Sequence, residues 1–447
     1  MKGLIFVYTL TALGVFGSLR KPIIGLYVYV LFAVLRPQYL WAFAGNMSNL
    51  SLMVGVAMLV GWALNGFGEK RMGRGGIIVT LMLAFLCWTT VSAALAGNSD
   101  VAFNWVIELL KIVAPFLVGI TLLDAGKHAR GIIWVVVLAQ AYISFEMNLS
   151  YYNGYNQIAD VGFGGMDNNS FGISLVTTIG PALALALTEK KWIWRLGAAA
   201  CAALILHATL LTFSRGAMVG LLAVGFTAFV LMPKRPSYLL ALTLAALLTL
   251  RLTGPQLMAR YSSTVADSDS RDDSAESRID LWRDCLDVAA HNPLFGVGPR
   301  NWPLVAASYG WPAGKEAHST WMQTAAEMGF PGALLLLTLF TVPALKLWPI
   351  AHRLPNDENR DAVMGGRAVV MAMSGFIVAG QFVTLSGLEI PYYMAMVAVM
   401  IVKDAPLVAK AGQATKAVAS PSTSPRPGLA FGTPAVRSNA NRSVGIR

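Results

Sequence analysis

The sequence predicts an all-α fold: a polytopic membrane helix bundle of about 12 transmembrane helices, at roughly 20 apolar residues each. One large helical segment is expected outside the membrane, between late spans. Three observations carry this. Of 447 residues, 56% are hydrophobic and 13% charged, with mean hydropathy +0.59, whereas a soluble domain is about a quarter charged. Long apolar runs recur along almost the whole chain, without the short apolar–polar alternation of membrane β-strands. The pattern lapses once, between Gly254 and Glu327. A membrane protein that maintains one structured polar segment outside its bundle usually does chemistry or recognition there.

In chain order the apolar runs predict spans at 3–19, 22–35, 50–64, 77–96, 105–123, 132–149, 169–187, 196–213, 216–232, 237–253, 331–347, 368–385 and 391–403. Residues 3–35 read either as two short spans with Met1 outside, or as one span plus an interfacial helix with Met1 inside. Arg20 and Lys21 follow the first apolar stretch instead of preceding it, so no cleavable signal peptide is expected. The net charge is +11, but the basic residues fall in short loops and the tail: Lys70, Arg71 and Arg74; Lys127 and Arg130; Lys190, Lys191 and Arg195; Lys234 and Arg235; Arg353, Arg360 and Arg367. That is the cytoplasmic bias of inner-membrane loops, not a nucleic-acid surface. It puts 36–49, 97–104, 150–168, Ser214-Arg215 and 254–327 outside. The chain then divides into transmembrane helices over 1–253, a polar external segment over 254–330, further spans over 331–404, and a tail over 405–447. The tail is rich in Ala, Pro, Ser, Thr and Arg and is expected to be disordered and cytoplasmic. Cys87, Cys201 and Cys285 have no metal-ligand spacing and predict neither disulfide nor zinc site.

Two helices are legible in the polar segment. Ser277 and Asp280 resemble a capping box, after which Ile279, Trp282, Leu286 and Ala290 recur at helical spacing until Asn292-Pro293. A second helix runs from near His318 to Met328, with Gly329 as its end and Pro331 opening the next span. Both are expected to lie on the outer membrane face.

Arg215 interrupts an apolar stretch too long for one span, marking an external turn at membrane depth. It reads as a snorkelling side chain or as a guanidinium gripping a phosphate in bidentate fashion. Arg278 is expected in the first turn of its helix, where free N–H groups also favour an anion; taken alone it reads as a screened ion pair with Asp267, Asp269, Asp272, Asp273 or Glu276, and together with Arg215 as part of a diphosphate site. His318 starts a helix whose dipole would keep the imidazole neutral and proton-accepting; the alternative is a plain capping histidine. Gly296-Val297-Gly298-Pro299 reads as a tight turn, because no P-loop lysine follows. Asp167-Asn168-Asn169 precedes a span and caps it, or offers amides to sugar hydroxyls. No residue pattern requires a metal or cofactor.

Taken together, Ser214-Arg215-Gly216, Ser277-Arg278 with Trp282, His291-Asn292-Pro293 with Gly296 and Gly298, and His318 with Glu327, Gly329 and Gly332 resemble the bacterial O-antigen ligase and polymerase superfamily. The likeness runs over about residues 160–390. Asn168 stands where the family's Asp-Pro-Asn segment has proline, and Ser319 where a His-Asn pair is usual. The resemblance implies an inverting, metal-independent and cofactor-free glycosyltransferase of the bacterial inner membrane, acting on the periplasmic face. It would move O-antigen polysaccharide from undecaprenyl diphosphate to a sugar hydroxyl of a lipid A-core acceptor among membrane lipids, completing lipopolysaccharide. His318 would be the catalytic base, and Arg215 and Arg278 would hold the diphosphate. Asn168, Asn169, Trp282 and Glu327 would bind glycan or support those groups. An O-antigen polymerase or protein O-oligosaccharyltransferase would share this architecture. A transporter of lipid-linked glycans would instead be expected to show charges inside several spans.

Overall fold

The computed structural model describes residues 2–41, 49–122, 125–232, 251 and 268–403. They form an all-α polytopic membrane fold. The amino-terminal half contains α1 (Lys2–Arg20), α2 (Pro22–Leu35), α3 (Pro37–Leu40), α4 (Leu50–Leu64), α5 (Gly76–Ala94), α6 (Ser99–Thr121) and α7 (Ala125–Tyr152). Then come α8 (Gln157–Val161), α9 (Asn168–Thr188), α10 (Trp192–Leu211) and α11 (Arg215–Leu231). The polar segment holds α12 (Ser268–His291) and the short α13 (Trp302–Val305); α14 (Thr320–Ala351), α15 (Arg360–Ala379) and α16 (389–403) complete the bundle. Among the described residues, eight helices are long and apolar enough to cross a membrane, and α2, α4 and α11 are shorter apolar helices. Most of the expected span at 237–253 and the tail from 405 lie outside the described residues.

Residues 3–35 form two helices joined at Lys21, with Pro22 in the first turn of the second, where its missing N–H costs nothing. They run antiparallel. Gly17 abuts Ile24, while Gly3 and Phe6 meet Trp41 beyond the far end of α2. The chain therefore starts at the same end of the bundle as Arg36.

Helices that are apolar on all sides belong in the interior. α9, α15 and α16 fit this rule, and nearly every residue from Ile390 to Val402 is buried. Small residues let these helices approach closely: Gly180 of α9 faces Met371 of α15, and Gly220 of α11 faces Ala379. The basic loops gather at one end. There Arg130 makes a bidentate pair with the buried Glu189 at 2.8 and 2.6 Å, and Lys403 donates to the carbonyls of Ile120 and Leu122. At the opposite end Asn98 and Asn301 join α6 to the polar segment, Arg36 pairs with Glu389, and Thr320 is bonded to Gly380.

Several expectations are corrected. α15 begins at Arg360, so Arg367 is not a loop residue; it is buried, and donates to the carbonyls of Ala351 and Arg353 and to the Thr188 hydroxyl. Residues 381–388, expected to be helical in part, form an irregular connection to α16. α12 begins at Ser268, so Ser277 and Asp280 lie inside it and do not cap it. Its buried stripe is Leu281, Cys285, Val288 and Ala289, whereas Ile279 and Leu286 are exposed. The segment 320–328 does not lie on a membrane face either, since Thr320 and every residue from Gln323 to Met328 are buried.

That burial depends on a break. Gly329 adopts φ 69, ψ 178 and interrupts α14, freeing the carbonyls of the preceding turn. The N–H groups of Val297 and Gly298 take those of Ala326 and Glu327, and the Trp88 indole takes that of Met328. The turn at 296–298 thus satisfies a broken helix rather than cradling a phosphate. Only glycine adopts the Gly329 backbone readily, and a Cβ there would strike the Leu294 carbonyl. Gly329→Ala is expected to destabilise the fold by at least about 1–3 kcal/mol, read as a lower unfolding midpoint in detergent. An unchanged midpoint would mean that the break is not structural.

Candidate active site

Arg215 is the first residue of α11. A tight turn from α10 delivers it: Phe213 is left-handed at φ 53, and Ser214 caps α11 by accepting from Ala217 N. Asn168 stabilises that turn, donating its amide to the Thr212 carbonyl at 3.0 Å, while Asn169 donates to the Asn168 side-chain oxygen. Asp167 caps α9 through Ser170 N at 2.8 Å. The Asn168 amide therefore braces the Arg215 turn, a use that the sequence did not single out.

Arg278 lies about three turns inside α12, so the free N–H groups expected beside it are absent. It is half-buried. Burial first, and the neighbouring Arg215 charge second, lower its pKa from the ordinary value. The two guanidiniums thus lie within electrostatic reach of each other, and neither belongs to an ion pair among the described residues. Like charges close together are costly where no carboxylate pairs with them, as among the described residues, and a bound anion relieves that cost.

His318 precedes the Ser319 cap of α14 and is left-handed at φ 49. Such strain persists only where the surroundings over-determine it. Here the Ala317 N–H donates to Gln323 Oε1, and the Ala317 carbonyl accepts from the Trp282 indole at 3.0 Å. Gln323 also accepts from Thr384 and donates to the buried Glu327. Trp282 and Glu327 are thereby committed to the scaffold around His318. The imidazole pKa is lowered from 6.5, chiefly by burial, then by the charges of Lys315 and Arg278, with Asp167 opposing. The direction matches the helix-dipole expectation, but burial is the leading cause. A neutral imidazole accepts protons.

His318 opens onto a cleft of about 690 Å³ that Arg215 and Arg278 do not line. Its wall carries groups absent from the sequence reading. Arg300, left-handed at φ 59, lies 4.6 Å over the Trp105 ring and 3.6 Å from Glu316. Burial raises the Glu316 carboxyl, with Arg300 opposing and Asp167 adding to the rise. Arg36 meets Glu389 at 3.3 Å, and Lys111 meets Glu108 at 2.6 Å. Arg36 and Glu389 are far apart in sequence, and Arg300 and Glu316 sit in ordinary-looking loops. Among the described residues no three His, Cys, Asp or Glu side chains form a metal-holding group.

Fold and site define a multi-pass membrane protein with two guanidiniums in electrostatic reach of each other and a half-buried histidine at one polar end. A family model described as O-antigen ligase matches residues 174–337. That match supports membership in the O-antigen ligase and polymerase superfamily for residues 174–337 and implies glycosyltransferase-type activity there. A second model, for a family of unknown function, matches residues 1–153. No curated protein matches the chain.

Proposed function

We propose that the protein is an inverting, metal-independent ligase. It transfers O-antigen polysaccharide from undecaprenyl diphosphate to a sugar hydroxyl of lipid A-core, on the periplasmic face of the inner membrane. One observation supports this most: the Trp282 indole, one helical turn after Arg278, donates to the Ala317 carbonyl beside His318, and Arg278 lies within electrostatic reach of Arg215. An anion-seeking pair therefore lies beside a proton acceptor.

His318 takes the proton of the acceptor hydroxyl as its oxygen bonds to the anomeric carbon. The bond from that carbon to the diphosphate oxygen breaks, and the electron pair leaves with the lipid diphosphate. Arg215 and Arg278 stabilise the charge that builds there, the kind of electrostatic contribution that often dominates. Attack opposite the leaving group inverts the anomeric centre. Apolar surfaces between helices hold both lipids at one depth, which turns a collision into a positioned encounter.

The test is transfer by purified protein, supplied with undecaprenyl diphosphate-linked polysaccharide and lipid A-core in EDTA. Product with inverted configuration is expected. Retained configuration, or loss of product in EDTA, would refute the mechanism. The pH profile has a definite sign. Because the His318 pKa lies below 6.5, kcat/KM should be level near neutral pH and fall as acid protonates the base. A rate that rises on acidification would make His318 an acid instead.

A further inference from the structure

The region matched by the model of unknown function supplies a large share of the wall facing His318. Tyr29, Arg36, Tyr39, Trp105, Glu108 and Lys111 all line the cleft and all lie within residues 1–153. From this placement we infer that the amino-terminal region is the acceptor-recognition half of the protein, and that the cleft seats an uncharged sugar of the acceptor glycan.

The inference rests on the glycosyl-transfer reading for its occupant. With the diphosphate at Arg215 and Arg278, neither of which lines the cleft, the space on the other side of His318 falls to the attacking hydroxyl. Its charge pattern selects among acceptors. Among the described lining residues the cations are Arg36, Lys111 and Arg300, and each is already paired, with Glu389, Glu108 and Glu316 respectively. Asp167 adds a fourth carboxylate. The lining thus carries four carboxylates against three cations, an excess of negative charge that disfavours a phosphate or carboxylate on the seated sugar. Neutral hydroxyls suit the site, because paired arginines and carboxylates retain unused donors and acceptors. One polar group points to a ligand independently. The Tyr393 hydroxyl, on a residue 1% exposed and lining the cleft, has no hydrogen-bond partner among the described residues. Leaving a buried hydroxyl unpaired is costly, and a sugar hydroxyl would satisfy it. Tyr39, 52% exposed, offers an aromatic face at the rim.

The experiment is calorimetric titration of the full-length protein in nanodiscs with an octyl hexose trisaccharide and with its 6-phosphate. The neutral probe is expected to bind at least tenfold more tightly. Tyr393→Phe should weaken it several-fold, and Glu389→Gln should narrow the gap between the probes. Equal or tighter binding of the phosphorylated probe, or an unaltered Kd in Tyr393→Phe, overturns the inference. Selective binding by a protein that transfers no glycan would sink the ligase reading alone, whereas transfer without this selectivity would sink the inference alone.

Discussion

His318→Ala is expected to abolish measurable glycan transfer while leaving the protein inserted, monodisperse and normally stable. Removing a positioned general base costs about 10²–10⁴-fold in rate. The fold should survive, because the backbone around His318 is held by other side chains. Gln323 and Trp282 pin Ala317, and Ser319 caps α14. The substitution leaves a left-handed alanine, a modest strain confined to one residue. Undecaprenyl diphosphate binding should persist, since the arginines are untouched. Transfer at wild-type rate by a folded His318→Ala protein would remove the base from the mechanism.

Arg215→Lys and Arg278→Lys are expected to lower kcat about tenfold or more each, even though charge is retained. Lysine presents a compact ammonium, whereas a guanidinium offers two parallel N–H groups to a phosphate. Removing one stabilising donor at a developing anion typically costs about 10²–10³-fold, and lysine should recover only part of that. The double variant should lose less than the product of the single losses, because both residues act on one leaving group. Steady-state kinetics on purified variants decides this. Strictly multiplicative effects would separate the two arginines into different sites.

The spans were legible because apolar runs set them, and helix type followed from their length. Boundaries slipped where charged residues sit inside a helix, as Arg360, Asp361 and Arg367 do in α15. The inward face of α12 was misread because apolar residues occupy both sides of it; tertiary packing, not periodicity, chose Leu281, Cys285 and Val288. Arg215 and His318 were visible as polar residues that an apolar chain or a helix start had to accommodate. The cleft was not visible. Arg36 and Glu389 meet across 353 positions of chain, and Arg300 reaches Trp105 only through a left-handed backbone that sequence does not announce. The N–H groups of 297 and 298 looked like a loop's own business until the Gly329 break supplied the carbonyls they serve.

The most direct measurement is a cryo-EM structure of the protein in nanodiscs with undecaprenyl diphosphate bound. The diphosphate should bridge the guanidiniums of Arg215 and Arg278, its terminal oxygen directed towards His318, with the polyprenyl chain running into the bilayer. A diphosphate bound at the opposite end, among Arg130, Lys190 and Arg360, would contradict the account.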